Sequence, residues 1–394
     1  MKKSFEKSEN FYQESLFTFS SYKSYCAIDT INIEIGEVKK IFKVNSLTSE
    51  PIKFAFQPKD GLVRVSLKNG SVEESNILSS LLSIKDNNIE NYRKFFEKNG
   101  FFYPLKGDKY VEIDDNSLLL IVGRMKATVE LMSQISEVQR KNYDRILTLT
   151  LALLLKPQIE IKIGDHLYKT SKHEKLNNEL LIASNITDNS FNFKTDENYV
   201  FTIKDSIYGH SKMHLDVYRN FKTDELILDN FWRKVLHSYV NHEDSDEDVR
   251  LMIEVLYHVY FNIGNFSSCS FEKINFSEKP KWDNFDDPLK RALLEVAKIV
   301  VAEEINSSLH GIFPEYDSSI MEPRWRVDSL ISALYFSIFY MKPNIELTRI
   351  CANPRCGNYF TISRTSSKKK YCSPQCANRA IQNRYRAKKK SAEK

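Results

Sequence analysis

Four cysteines fall in the last 44 residues of the chain. Cys351 and Cys356 are separated by four residues, fifteen residues follow, and Cys372 and Cys376 are separated by three. Only two other cysteines exist, Cys26 and Cys269, both more than eighty residues from the cluster. Two short-spaced thiol pairs, each delivered by a turn, are the donor set that zinc takes in closed tetrahedral sites. A segment of about forty residues has little room for an apolar core, so a metal held there would dictate its fold. Two disulfides, or four idle thiols, are the competing uses of the same residues.

At 394 residues the chain exceeds what one core usually supports, and two or three domains are expected. The shifts in pattern place them at 1–156, 157–345 and 346–394. Met1 to Tyr12 alternates charged and polar residues without an apolar stretch, so a secretory signal is not expected and the cytoplasm is the expected location. Ile146–Leu155 and Leu330–Met341 are apolar but shorter than the roughly twenty residues a spanning helix needs. Both read as buried helices, and no membrane partner is expected. The net charge of +5 conceals an asymmetry: residues 351–394 carry twelve Lys and Arg against the single acid Glu393, a tail of +11 on a body of −6. A mildly acidic body with a strongly basic end suggests a polyanion-binding module.

Period-two alternation in Ile31, Ile33, Ile35, in Ile52, Phe54, Phe56 and in Val63, Val65, Leu67 predicts half-buried antiparallel strands. Ile89, Tyr92, Phe95 and Phe96 recur at helical spacing, with Asn87 or Asn88 as the cap and Gly100 as the stop. Ser117 to Leu155 predicts one long helix or a helical hairpin. From Pro157 to Thr223, short β-type runs such as Ile159, Ile161, Ile163 alternate with polar turns and carry no motif. Phe231–Tyr239, Val249–Phe261, Pro288–Leu309 and Val327–Met341 predict four helices. The fold class is therefore α+β: a mixed strand and helix body, a mostly helical second half, and a small C-terminal metal domain.

The acidic run Glu243, Asp244, Asp246, Glu247, Asp248 lacks the ligand spacing and mid-loop glycine of a calcium loop, and reads as the negative start of the helix after it. His242 and the pair His166 and His173 are the only histidines singled out as ligands, against the plainer reading of ordinary surface or core residues. No H-E-x-x-H, G-x-S-x-G or glycine-rich phosphate loop is present. An enzyme is not expected, and no catalytic residue is assigned.

In the tail, Pro354 and Gly357 suit the turn of a zinc knuckle around Cys351 and Cys356, with Tyr359 and Phe360 as its cover. Thr361 to Lys370 reads as a basic hairpin or loop. Ser373 and Pro374 suit a helix start, and helix formers continue to Lys390. A knuckle, a hairpin and a helix bearing the last ligands make a treble-clef-like arrangement. On that helix Arg379, Gln382, Asn383, Arg386 and Lys390 share one face, while Ala377, Ile381 and Tyr385 share another that could pack on the metal core.

These residues resemble the CGNR zinc finger family, whose tetrad reads Cys376-Ala377-Asn378-Arg379 here, with Ala377 in place of glycine. The likeness runs from about 350 to 390 and includes Cys351, Cys356-Gly357, Phe360, Ser363-Arg364, Tyr371-Cys372-Ser373, Asn378, Arg379, Tyr385 and Arg386. The segment Pro288–Met341, with Ala302 to Asn306 and Trp325-Arg326, resembles the helical lead-in of such proteins. The resemblance implies a DNA-binding finger behind an α/β domain that senses stress or a ligand. For residues 1–280 that role rests on analogy alone.

The expected function is a bacterial-type transcriptional regulator that binds DNA through a Zn2+-folded finger. Arg364, Lys368, Lys369 and Lys370 would meet phosphates, and Arg379, Asn383, Arg386 and Lys390 would face the duplex from the helix. The alternatives are an RNA-binding, translation-associated protein and a protein-interaction adaptor with a purely structural zinc. A lone finger grips weakly, so a homodimer formed through the helical region is the expected state, with an effector of the body as a further partner.

Overall fold

The computed structural model describes residues 15–32, 38–58, 60–66, 76–84, 89–105, 110–137, 141–156, 158–171, 173, 175–178, 200–203, 207, 211–214, 246–318, 321–341, 346–353, 356, 359–363, 370–372 and 374–392. Strands and helices mix in an α+β fold, and the chain divides into two units that interleave in sequence. The first takes Met1–Glu137, Ile159–Thr170 and Ile305–Lys394; the second takes Val138–Gln158 and Ser171–Glu304.

The first unit is organised by two long antiparallel strands, β1 (Phe17–Asn32) and β2 (Val38–Gln57). The other edge of β2 is shared by β3 (Gly61–Val65), paired along Lys53–Gln57, and β4 (Val111–Asp114), paired along Ile41–Val44. In β1 the buried residues run Phe17, Phe19, Ser21 and then Ser24, Cys26. The change of parity follows the register shift between Tyr22 and Lys23, because an irregularity in one strand turns every later side chain to the opposite face. Ile31, expected in a half-buried strand, is exposed at the far end of β1, and Ile33, Ile35 and Leu67 lie outside the described residues. Ile52, Phe54, Phe56, Val63 and Val65 are buried as their alternation predicts.

Cross-strand aromatic pairs hold this sheet. Phe17 stacks on Phe56 with ring centroids 5.4 Å apart and Phe19 on Phe54 at 4.9 Å, each pair directly opposite in the ladder. Such pairs add about 0.5–1.5 kcal/mol each beyond the area they bury. Phe336, from the apolar helix Leu330–Phe339, meets Phe17 and Phe56 edge-on at 5.0 and 5.2 Å. Ser329 caps that helix by accepting the Ser332 amide.

Three further helices belong here: α1 (Ile77–Leu82), α2 (Ile89–Asn99) and α3 (Asp115–Ser136). In α2 the predicted Ile89, Tyr92, Phe95 and Phe96 are all buried; its proposed Asn87 or Asn88 cap lies outside the described residues. Gly100 ends it at φ +80° with its amide on the Phe96 carbonyl, and a Cβ there would collide with the Tyr22 carbonyl. The α3 helix, capped by Asp114, runs through Gly123 and stops at Ser136. A separate helix, Tyr143–Leu155, begins behind the Asn142 cap. The stretch 117–155 is thus two helices, allotted to different units.

Val327–Met341 is helical only from Leu330, and ahead of it Ile312–Asp317 pairs with Glu322–Val327 as a β-hairpin. This corrects the helical reading of the segment around Trp325-Arg326. Pro314 and Pro323, one in each strand, each lack the amide a helix interior needs.

The second unit contains the buried helix Tyr143–Leu155, the helix Glu247–His258 with its π-turn to Ile263, the hairpin Phe266–Cys269 with Ile274–Phe276, and nearly all of the helix Asp287–Asn306. Asp246 caps the second of these by accepting the Asp248 amide, as the acidic run predicts. Phe231–Tyr239 and His242 lie outside the described residues. No helix among the described residues is long and apolar enough to cross a membrane.

Candidate metal centre and nucleic-acid face

The strand Glu346–Ile350 pairs antiparallel with Tyr359–Ser363, and the connection between them carries Cys351 and Cys356. The amide of Cys356 donates to the Asn353 carbonyl at 2.8 Å, and that of Ala352 to the Lys370 carbonyl at 2.9 Å. The first bond tightens the turn; the second brings the chain back beside it, so that Cys372 arrives next to the first pair. Cys376 sits in the first turn of the helix Pro374–Ala392. The hairpin lies alongside α3 and α1 of the same unit.

The four sulfurs lie within 4.8 Å of one another. Cys372 Sγ is 3.6 Å from both Cys356 Sγ and Cys376 Sγ. Zinc–sulfur bonds of about 2.3 Å at tetrahedral angles would set sulfurs about 3.8 Å apart, so the two 3.6 Å separations match the ion and the wider ones need only close slightly around it. The Cys372 amide points at Cys351 Sγ at 3.5 Å, the kind of outer hydrogen bond that orients and stabilises a thiolate ligand. Cys351 and Cys376 are buried, with Cys356, Tyr371 and Cys372 packed around them. All four are free thiols, which sets aside the disulfide reading. Partial burial, and then the hydrogen bonds of the neighbouring sulfurs, push the Cys372 thiol up to about 12. Four thiolates can share this space only if a cation offsets their charge, and a dication does so. With all four sulfurs as ligands an ion here would keep no open position for substrate, so it would supply folding rather than chemistry.

The helix turns to solvent much of the face its sequence suggests, with Ile381 as the clear departure. Cys376 and Ala380 are buried, and Ala377 and Asn383 are half-buried. Gln375, Asn378, Arg379 and Gln382 are exposed, as is Lys370 just before the third ligand. Asn383, expected on the donor-rich face, therefore flanks the packed side. Ile381, expected against the metal core, is 58% exposed. Ala380 occupies the place given to it, because the inward stripe starts from the ligand Cys376 and repeats at i+4 and i+7. Starting the helical count at Cys376 would have found this phase from sequence. Arg386 and Lys390 lie on the helix with side chains outside the description, as is the Tyr385 ring. Arg364, Lys368, Lys369 and the proposed cover of Tyr359 and Phe360 also fall outside the described residues or side chains.

Of the three singled-out histidines, His166 and His173 are described, each engaged within its own unit. His166 stacks on Tyr103 at 4.4 Å, whereas His173 is held between two carboxylates. Among the described residues, the four-cysteine cluster is the one group of His, Cys, Asp and Glu arranged to hold a metal.

The family model of the CGNR zinc finger matches residues 348–389, which include all four cysteines and the exposed stretch of helix. No curated protein and no solved structure matches the chain. The C-terminal segment is thus a CGNR-type zinc finger with Zn2+ as its metal.

Proposed function

We propose that this chain is a DNA-binding protein, a regulator of transcription, that grips its target through the zinc finger. The observation that carries this reading is the division of the C-terminal helix: one side is committed to the zinc ligands and Ala380, and the other presents Asn378, Arg379 and Gln382 to solvent, in a tail of net +11. Amide side chains pair in a bidentate way with adenine and guanidinium with guanine when a helix enters the major groove. Lys370 and the lysines before it supply phosphate contacts that set position without reading sequence. Asn378 and Gln382 are the more exposed amides facing a duplex, with the half-buried Asn383 beside them. The body, in the same reading, carries the effector response and the homodimer contacts.

Binding of the full chain to random duplex DNA and to structured RNA, measured against salt, tests the proposal. Neutralising about six phosphates gives a log-log slope near −5 on duplex DNA. Equal or tighter binding to structured RNA replaces the DNA reading with an RNA-binding one. Absence of binding to either leaves an adaptor whose zinc is purely structural.

A further inference from the structure

The chain passes into the long segment of the second unit at Ser171 and out of it at Glu304. His173 lies two residues inside the first end, and Glu303 and Glu304 are the last two residues before the second. The His173 ring is 0% exposed. Its Nδ1 lies 3.1 Å from Glu303 Oε2 and its Nε2 lies 3.1 Å from Glu304 Oε1. The Glu304 side chain is 1% exposed and that of Glu303 is 25% exposed. The backbone of His173 is at φ +45°, a region that costs a non-glycine residue free energy unless its surroundings fix it there.

A neutral imidazole has one N–H and one lone pair. It can donate to one of these carboxylates, but the other would face ring lone pair against oxygen lone pair. Only the imidazolium, with two N–H groups, satisfies both carboxylates. The opposed directions of the two ring nitrogens also rule out one metal ion bound by all three residues.

We infer that His173, Glu303 and Glu304 form a proton-dependent clasp that holds the two ends of the Ser171–Glu304 segment together and releases them when the ring loses its second proton. The preceding excursion, Ile159–Thr170, is closed differently. Ile159 donates its amide to Thr170 Oγ1 at 2.8 Å, and the Thr170 amide donates to the Ile159 carbonyl at 3.1 Å. Those groups do not titrate, so of these two ties only the one through His173 answers to pH.

Burial by itself would lower the pKa of the imidazole, but the hydrogen bonds and charges of Glu303 and Glu304 outweigh it and raise the pKa above its ordinary value. Among the described residues, these two carboxylates are the charged groups acting on the ring. Lys175, on the same segment, is engaged with Asp246 and Asp248, and Lys172 and Glu174 lie outside the described residues. With the pKa raised in the closed state, the contribution of the clasp is complete below about pH 6.5. It is lost as pH rises through the higher value of the closed form.

Hydrogen exchange in the full-length protein tests this at the Asn177 amide, which donates to the His173 carbonyl, between pH 6 and 9.5 and after correction for intrinsic exchange. Protection in the wild type should fall by up to about tenfold per pH unit across the titration of the ring, followed in parallel by its Cε1 resonance, while amides in the middle of the helix Asp287–Asn306 stay protected. Glu304→Gln should keep Asn177 protected throughout, because the amide donates to the unprotonated ring nitrogen and removes the need for the second proton. His173→Asn should lose protection at every pH. Should that variant fail to fold, the wild type and Glu304→Gln still decide the matter. A flat wild-type profile, a ring that is neutral at pH 6, or a Glu304→Gln profile that tracks the wild type would overturn the clasp.

Discussion

The sheet of the first unit and the zinc finger reach stability by opposite routes. In the sheet, Phe17, Phe54, Phe56 and Phe336 are all buried and packed ring on ring. In the finger, the buried residues among those described are Cys351, Asn353, Cys376 and Ala380, two of them metal ligands, and a segment of this size has little room for an apolar core. The sheet is therefore expected to keep its fold without any ion, and the finger to lose its own without zinc.

The sharpest way to break this contrast is to remove the metal. Structural zinc contributes on the order of 10–16 kcal/mol in small finger peptides, so chelation, or Cys372→Ser, should abolish hydrogen-exchange protection over residues 346–392. Protection across β1 and β2 should remain. Loss of protection in both regions together would show that the sheet depends on the metal as well. The reciprocal change is Phe336→Ala, which should cost about 3–5 kcal/mol of unfolding free energy. Denaturant unfolding would measure it, and zinc stoichiometry should stay at one per chain.

On the finger surface, Gln382→Ala and Arg379→Ala should each alter preference among duplex sequences by about 1–3 kcal/mol, while Lys370→Ala should weaken binding to all of them and reduce the salt slope by about one. Competition binding at two salt concentrations separates these effects. The smallest expected change is Ile381→Ala, within about 0.5 kcal/mol of wild-type stability because the side chain is exposed. A loss of 2–5 kcal/mol would instead place Ile381 in a packed core.

The finger was legible in the sequence because its chemistry is local: the spacing of Cys351, Cys356, Cys372 and Cys376 encodes the geometry directly, and zinc tolerates few alternatives. The helix face was half legible. Arg379 and Gln382 stand exposed where expected, but Ile381 does not pack inward, since the count of the stripe depends on which residue anchors it. In the body, alternation located Ile52, Phe54 and Phe56, whereas the parity change in β1 depends on a register shift that appears only once β2 is paired. The hairpin Ile312–Val327 was hidden by the apolar helices on either side of it. Non-local pairing also explains why His173 was singled out without its partners: Glu303 and Glu304 are 130 and 131 residues away, and nothing in the sequence sets them beside it.

The most direct test of the account is whether DNA binding by the full chain follows zinc. Anisotropy of a labelled duplex would be recorded as a chelator strips the metal from the protein and stoichiometric Zn2+ then restores it. The account predicts that binding disappears with the metal, returns at one equivalent, and weakens steeply with salt in the restored state. Binding that persists in the stripped protein, with the finger shown to be unfolded, would contradict it and move the DNA-binding surface off the finger.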